Sequence, residues 1–382
     1  MALLTSINLV SCYLLLQEII MKNIVDLFCG CGGLSYGFEQ EGFKTILGID
    51  HDKAAIDTFK LNHPNAEAIL GDIREVSDES VLNIIGGQTV DIVVGGPPCQ
   101  GLSLSGPRKY EDPRNQLYLS FIRIVKLLKP KYVLIENVPG MVSLFKGKIK
   151  DEIVKSLEEL GYTVNFEILK ASNYGVPQNR RRVFFVGCLN KEVFEFPTIT
   201  HTEEVDLIHS KMVSTYDAIS DLPLLEDTLG ESIQNYNSEA SSDYQKKMRQ
   251  GSEYIYNHVA AKHSQRVIDT IKLVPAGKNY KALPEELRNS RKFNVAWTRF
   301  PDHAPAPTID TGHRHHFHYL ANRVPTVRES ARLQSFPDSF IFTGNKTEQF
   351  RQVGNAVPPM LAAAIARKIR DCLLYTSPSP RD

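Results

Sequence analysis

NIVDLFCGCGGLSYGFEQEG, residues 23–42, decides the fold. NIVDLF (23–28) reads as a buried strand, GCGG (30–33) as a tight loop, and LSYGFEQEG (34–42) as a helix stopped by Gly42. A strand that passes through a glycine loop into a helix opens a parallel α/β sheet. Outward from it the alternation continues. TILGID (45–50) is a second strand, AAIDTFKLN (54–62) a helix, EAILGDI (67–73) a third strand and VDIVVGG (90–96) a fourth. Between Asn115 and Lys129 the apolar Leu117, Phe121, Ile124, Val125 and Leu128 share one helical face, and Pro130 ends it. YVLIEN (132–137) is a fifth strand. Ile149, Ile153, Leu157 and Leu160 form a further helical stripe before Gly161. The expected fold class is α/β, a doubly wound, mostly parallel sheet with helices on both faces.

The 382 residues are 42% hydrophobic and 23% charged, enough chain to bury a full core and hold two domains. The net charge of zero by itself argues against a strong DNA binder, but the distribution matters more, and it is uneven. Lys191 to Glu239 carries 2 basic and 11 acidic residues, whereas Ala240 to Pro325 carries 14 basic and 7 acidic. An acidic stretch followed by a basic one fits a domain with one nucleic-acid face, and equally a solvated charged surface. Six cysteines (12, 29, 31, 99, 188 and 372) have no framework spacing, which implies a reducing compartment without disulfides. His313, His315, His316 and His318 crowd together, but no cysteine or carboxylate cluster joins them, so no metal is expected.

Both ends read as foreign. Residues 1–20 hold an apolar run too short to span a membrane and without the basic start of a signal peptide, so Met21 is the expected natural start. The tail from Cys372 to Asp382 resembles the translation of a sequencing-library adapter. The expected organisation is therefore a catalytic domain over 21–196, an inserted domain over 197–325, and a return to the first domain over 326–371.

The chemistry-bearing residues lie at the ends of the strands. VDIVVGGPPCQGLS (90–103) presents Cys99 after a glycine–proline turn, at the carboxyl end of a parallel strand, where open α/β sheets place ligands. The plain alternative is a small buried hydrophobe, which free cysteine often is. Glu136 ends the fifth strand after apolar residues, which sets it at the sheet's rim rather than on an outer surface. In QNRRRVFFVG (178–187), Arg180 and Arg182 share a face at period two, suited to a carbonyl or phosphate. Asp50 lies 20 residues past Gly30, the spacing at which an acid accepts ribose hydroxyls. The loop lacks G-x-G-x-x-G, which turns the reading away from nicotinamide cofactors, and the acid-ended third strand at Asp72 suits an adenine amino group.

In chain order, DLFCGCGGLS, GIDHD, GDI, GGPPCQGLS, ENV, QNRRRVFFVG, RESARLQSFPDSF and QVGNAVPP resemble the DNA (cytosine-5)-methyltransferases, the bacterial ones above all, from Asn23 to about Ile369. The resemblance implies a Rossmann-like S-adenosylmethionine-dependent fold with a smaller inserted target-recognition domain. It assigns Cys99 as the nucleophile that adds to cytosine C6. Glu136 would hold N3 and the amino group, Arg182 the O2 carbonyl, and Arg180 the placement of the ring. The target base must leave the helix to be reached.

For S-adenosylmethionine the resemblance implies contacts from Phe28, Gly30, Cys31, Gly32, Gly33, Leu34, Asp50, His51, Asp72, Ile73, Pro98, Leu117, Asn355 and Ala356, with no metal. For double-stranded DNA the candidates are Gln100, Ser103, Trp297, Arg299, Thr308 and Arg314. Trp297, Phe300 and Phe317 have core packing as their alternative. The implied setting is the cytoplasm of a bacterial or phage-encoded system. A cognate restriction endonuclease is the functional partner, the chain acts as a monomer, and there is no membrane association. An RNA cytosine methyltransferase on the same scaffold and a non-catalytic DNA-binding module are the competing readings.

Overall fold

The computed structural model describes residues 21–98, 117–288, 297–312 and 315–375. In chain order, the first half comprises β1 (Lys22–Leu27), α1 (Gly33–Glu39), β2 (Phe43–Asp50), α2 (Lys53–Asn62), β3 (Glu67–Leu70) and α3 (Asp78–Ile85). It continues with β4 (Ile92–Gly95), α4 (Leu117–Leu128), β5 (Tyr132–Asn137), α5 (Lys148–Glu158), β6 (Thr163–Lys170) and β7 (Arg181–Cys188). These seven strands form one sheet in the order β3-β2-β1-β4-β5-β7-β6. The pairs among β1 to β5 are parallel, and β7 runs antiparallel between β5 and β6. The strand order reverses between β1 and β4, so their carboxyl ends open the crevice where such sheets bind ligands.

Residue alternation divides the sheet into two packed faces. Val25, Leu27, Val93, Val133 and Ile135 point to a core shared with Phe121 and Ile124 of α4 and with Ile153 and Leu157 of α5. Ile24, Ile92, Val94, Leu134 and Phe184 point the other way, to Phe38 of α1 and to Leu361 and Ile365 from the carboxyl-terminal part. Gly95 ends β4 where any side chain is barred, because a Cβ there would lie 2.0 Å from the Leu27 carbonyl oxygen.

The inserted stretch is mostly irregular, with α6 (Thr215–Ile219), α7 (Asp243–Arg249) and α8 (Gln265–Lys272) and a few two-residue strand pairs. The chain returns through α9 (Val327–Leu333), α10 (Lys346–Asn355) and α11 (Pro359–Tyr375). Thr326 and Asn345 each start their helix with a capping box, closed by Glu329 and Glu348. The Gly354-Asn355 pair forms the end of α10. Helix α11 runs past the expected boundary at 371, and Leu373 is buried in the core. Insert and return segment share one core, in which Ile219, Met248, Phe300 and Ile309 meet Leu333, Phe336, Phe340 and Val353. Among the described residues no helix is long and apolar enough to cross a membrane.

Buried charge joins the same two segments. The fully buried Arg332 donates through Nε and Nη2 to the two oxygens of Asp338, each at 2.6 Å. Its Nη1 reaches Asp221 Oδ1 at 3.1 Å and the Ala218 carbonyl at 2.9 Å. Arg332→Leu leaves the buried Asp338 without its main cation and takes one of two from Asp221, and breaking a buried pair from one side costs about 3–5 kcal/mol. Urea unfolding should show a loss of that size. A loss below about 1 kcal/mol, the range of an exposed pair, would mean that the cage is not structural.

Candidate active site

The crevice begins at the glycine loop. The Cys29 amide donates to the Ile49 carbonyl at 3.1 Å, which ties the loop to β2. Phe28 takes φ +63° and Gly30 φ +54°, so the chain turns sharply out of β1. A Cβ on Gly30 would meet no atom within 4 Å, so the space above the loop is open. Asp50, at the end of β2, faces the loop. Its Oδ2 accepts from the Gly30 amide at 2.9 Å and its Oδ1 from the Asp52 amide at 2.9 Å, with His51 Nδ1 at 3.3 Å. Burial works to raise its pKa, but the hydrogen bonds from His51, Asp52 and Gly30 outweigh it and hold the carboxyl below its ordinary value. An ionised carboxylate has about four acceptor positions, and these contacts leave room for hydroxyl donors. Open space beside such a carboxylate fits an adenosyl ribose.

The other cofactor candidates divide. Pro98 and Leu117 are half-buried, Ala356 is half-buried, and Asn355 is exposed at the end of α10. His51 is exposed, and its hydrogen bond to Asp50 raises its pKa. Cys31, Leu34 and Ile73 are buried core side chains, so only their main chain is left to meet a ligand. The Cys31 thiol points at the Gln352 carbonyl, 3.8 Å away. Asp72 is engaged by the Arg74 amide and guanidinium, whose hydrogen bonds bring its pKa down to about 2. Arg74 thus shares this carboxylate with any adenine amino group that meets it. Gly32 and Gly33 pack against His63 and Val357, with no room for side chains.

Glu136 and Arg182 come together at the sheet's rim. The antiparallel register of β5 and β7 brings Arg182 Nε to 2.8 Å from Glu136 Oε1. The N–H is off the line to that oxygen, and Oε1 has no hydrogen-bond partner among the described residues. Gly96 runs directly beneath this carboxylate, since a Cβ there would lie 2.9 Å from Glu136 Oε2. The adjacent Asn137 donates from Nδ2 to the Pro97 carbonyl at 2.8 Å, and its Oδ1 accepts from the Val138 amide at 2.9 Å. The Asn137 side-chain amide thus ties the turn two residues before Cys99 to the end of β5. Cys99 itself, with Gln100, Ser103 and Arg314, lies outside the described residues.

Arg180 has a different place from its neighbour. It is buried, and donates to the Ile309 carbonyl at 3.4 Å and the Asn355 carbonyl at 3.3 Å. Burial drives its pKa down, and Arg182 adds to the effect. It holds main chain at the crevice wall rather than presenting its charge to a base. Arg299 corrects the expectation of a DNA contact. Its guanidinium is buried and is spent on the carbonyls of Val274, Ile271, His318, Leu320 and Ala321 and on Asn322 Oδ1, which leaves no donor for DNA.

Trp297 is half-buried, its ring 6.3 Å from that of Phe317, and Phe300 and Phe317 are core. Thr308 is exposed, with Oγ1 3.5 Å from the Asn179 carbonyl. His316 stacks on Phe300, and His318 lies 3.5 Å from Glu329. No group of three metal-ligating side chains occurs among the described residues. A cavity of about 290 Å³ between Leu225–Leu229, Ala260–His263 and Asn322–Arg323 shares no residue with the crevice.

Sequence reasoning passed over Asp26, one turn of chain before the loop. It is 1% exposed on the β1 face beneath α1, where its Oδ2 accepts from Ser35 Oγ at 2.6 Å and its Oδ1 has no partner. Burial lifts its pKa to about 7, against the Ser35 hydrogen bond and helped by the charges of Asp50 and Glu39. An acid set inside an apolar strand was the available signal.

The sequence profile of the C-5 cytosine-specific DNA methylases matches residues 22–371. The chain is 40% identical to the Type II methyltransferase M.DdeI of Desulfomicrobium norvegicum, over 91% of this chain and 88% of that protein. It is 37% identical to the Type II methyltransferase M1.HphI of Haemophilus parahaemolyticus, over 90% of this chain and 86% of that one. Among solved structures it is similar to a prophage-encoded E. coli protein described as a DNA modification methyltransferase. That likeness has a TM-score of 0.75 and 28% identity, and covers 92% of this chain and 99% of the other.

Asp26 gives the crevice a measurable pH signature. The native state keeps a proton that the unfolded chain has released, so stability contributed by this group is full below pH ~4 and falls as the pH rises to about 7. Asp26→Asn removes that slope. Urea unfolding from about pH 4 to 8 should show the variant gaining up to about 4 kcal/mol relative to the parent. Parallel curves would show that Asp26 is ionised throughout.

Proposed function

We propose, because this chain belongs to the C-5 cytosine-specific DNA methylase family, that it methylates cytosine C5 within a specific duplex DNA sequence through a transient Cys99–C6 bond. The chain is a DNA cytosine-5 methyltransferase by family, and its substrate is DNA. The finer steps are our reading. The observation that carries it is the Glu136–Arg182 pair, held 2.8 Å apart beside the Gly96–Pro98 turn that leads into Cys99.

Cytosine C5 is too weak a nucleophile to take a methyl group unaided. Addition of the Cys99 thiolate to C6 pushes the ring electrons toward C5, which is nucleophilic catalysis. Glu136, whose Oε1 pairs with Arg182 but has no hydrogen-bond partner among the described residues, is the group at the rim for N3 and the exocyclic amine, where charge changes as the thiolate adds. Arg182 lies beside it as the donor for the O2 carbonyl. S-adenosylmethionine, when bound, supplies an electrophilic methyl group. Asp50 and the loop from Phe28 to Gly33 would hold its adenosyl part. The C5 proton then passes to solvent, its electron pair restores the C5–C6 double bond, and the sulfur–C6 pair leaves with Cys99 as thiolate. The base must be turned out of the duplex first, since C6 is shielded within the stack. Exposed Thr308, bonded to the Asn179 carbonyl at the crevice edge, supports a role at the turned-out nucleotide's backbone. The Type II relatives support a role in marking DNA against a cognate restriction nuclease.

Bisulfite sequencing of DNA from cells that express the full chain should reveal methylcytosine at one recurring motif, and unmodified DNA would overturn the reading. Cys99→Ser should lower turnover by roughly 1,000-fold or more, with binding of S-adenosylhomocysteine retained. Duplex DNA with 5-fluorocytosine at the target should trap a covalent adduct, because fluorine cannot leave as the C5 proton does. A peptide map that places the adduct elsewhere than Cys99 would reassign the nucleophile. Methyl transfer to transfer RNA alone, in competition with duplex DNA, would favour the RNA reading.

A further inference from the structure

A relay of buried side-chain amides joins the cofactor side of the crevice to the segment that carries Thr308. The Ile309 amide donates to Gln178 Oε1 at 2.8 Å. Gln178 Nε2 donates to Gln334 Oε1 at 2.9 Å and to the Leu333 carbonyl at 3.1 Å. Gln334 Nε2 in turn donates to the Val353 carbonyl at 2.7 Å and the Ala356 carbonyl at 3.3 Å. Both glutamines are fully buried, and their amide groups have one consistent direction of donation. Arg180 spans the same gap in parallel, from the Ile309 carbonyl to the Asn355 carbonyl. The peptide units on both sides of Ile309 are thus clamped, and each clamp ends in the 353–356 turn.

Two glycines make the contact close. A Cβ on Gly354 would lie 2.3 Å from the Asp310 carbonyl oxygen and 2.6 Å from the Thr311 nitrogen, so the strap 309–311 sits directly on α10. A Cβ on Gly33 would lie 2.6 Å from the Val357 carbonyl oxygen and 3.2 Å from Ala356 Cβ, so the glycine loop sits on the other side of the same turn. The turn is therefore wedged between the loop that faces the cofactor and the strap that faces DNA.

We propose that Gln178 and Gln334 are positioning residues that couple the two ligands, so that cofactor in the glycine loop and DNA against Thr308 tighten each other's binding. This rests on the function proposed above. The physical basis is close packing with oriented hydrogen bonds. A ligand that fixes the glycine loop fixes the 353–357 turn, and the amide relay hands that order to Ile309. DNA that meets an already ordered strap has less conformational entropy to lose. Linkage makes the effect reciprocal, so each ligand must change the other's affinity by the same factor.

The test uses the full chain and a synthetic unmethylated duplex with the motif mapped by bisulfite sequencing. In the parent protein, saturating S-adenosylhomocysteine should tighten duplex binding at least about fivefold, the lower end of ordinary coupling. Gln334→Met keeps the side chain's length but removes its donors and acceptor. It should reduce that factor below about twofold, while S-adenosylhomocysteine binding to the free protein changes by less than about threefold. Where Gln334→Met lowers the melting temperature too far for titration, Gln178→Glu serves. It keeps the acceptor for Ile309 but turns the Gln178–Gln334 contact against itself, and the coupling should fall likewise. A variant that retains the parent's factor, or a parent that shows none, overturns the inference. A parent that leaves duplex cytosine unmethylated overturns the function instead, so the two failures are distinct.

Discussion

Whatever reaches the crevice from the far end of the chain depends on where Arg332 is held. It sits in α9, and its guanidinium is shared between Asp338 just beyond that helix and Asp221 just beyond α6. Two residues after it comes Gln334, and three after it Ser335, whose Oγ accepts from the Met360 amide in the first turn of α11 at 3.1 Å. One buried cation therefore fixes the end of α9, and with it the start of α11 and the 353–356 turn. The charges are matched rather than merely buried. Arg249 adds a second cation to Asp221 at 2.6 Å, and Arg328 approaches Asp338 while it donates to the Tyr256, Pro337 and Phe340 carbonyls. Desolvation of such groups is expensive, so a cage of this kind contributes a unique geometry more than net stability.

The sheet was readable where burial was complete. β1, β4 and β5 are covered on both faces, so they read as unbroken apolar runs, and the helices between them carry clear stripes. β6 escaped notice because it is an edge strand. Val164, Phe166 and Ile168 alternate with polar residues and are only partly buried. α3 was passed over for a similar reason, since Val81 and Ile85 are its only buried residues. Gly354 and Asn355 have the composition of a loop, yet helix α10 runs through them; the glycine is there because the strap takes the space that a side chain on Gly354 would fill.

Within the site, residue type was legible and direction was not. Arg182 and Arg299 both sit near aromatic residues, and nothing local separates them. Arg299 is drawn inward by carbonyls from Ile271 to Val274 and from His318 to Ala321, which only the folded chain assembles. Asp50 and Asp72 both end strands, but Asp72 is followed two residues later by an arginine that closes back on it, and Asp50 is followed by backbone donors. Cys31 belongs to a glycine loop by sequence and to a core by packing, since its side chain points toward α10.

The tethers around the crevice are amides, and that choice has an electrostatic reason. Asn137 fixes the Pro97 carbonyl next to Glu136, and Gln178 and Gln334 fix Ile309 and the 353–356 turn near Arg180 and Arg182. Each tether must offer a donor at one end and an acceptor at the other, a combination that an ionised carboxylate lacks. A carboxylate at residue 137 would also set a second negative charge beside Glu136, at a cost in repulsion. A lysine at 178 or 334 would add positive charge where Arg180 already bears an unfavourable burial. Beside Arg180, these neutral, two-ended groups hold the main chain in place without adding charge next to Glu136 and Arg182.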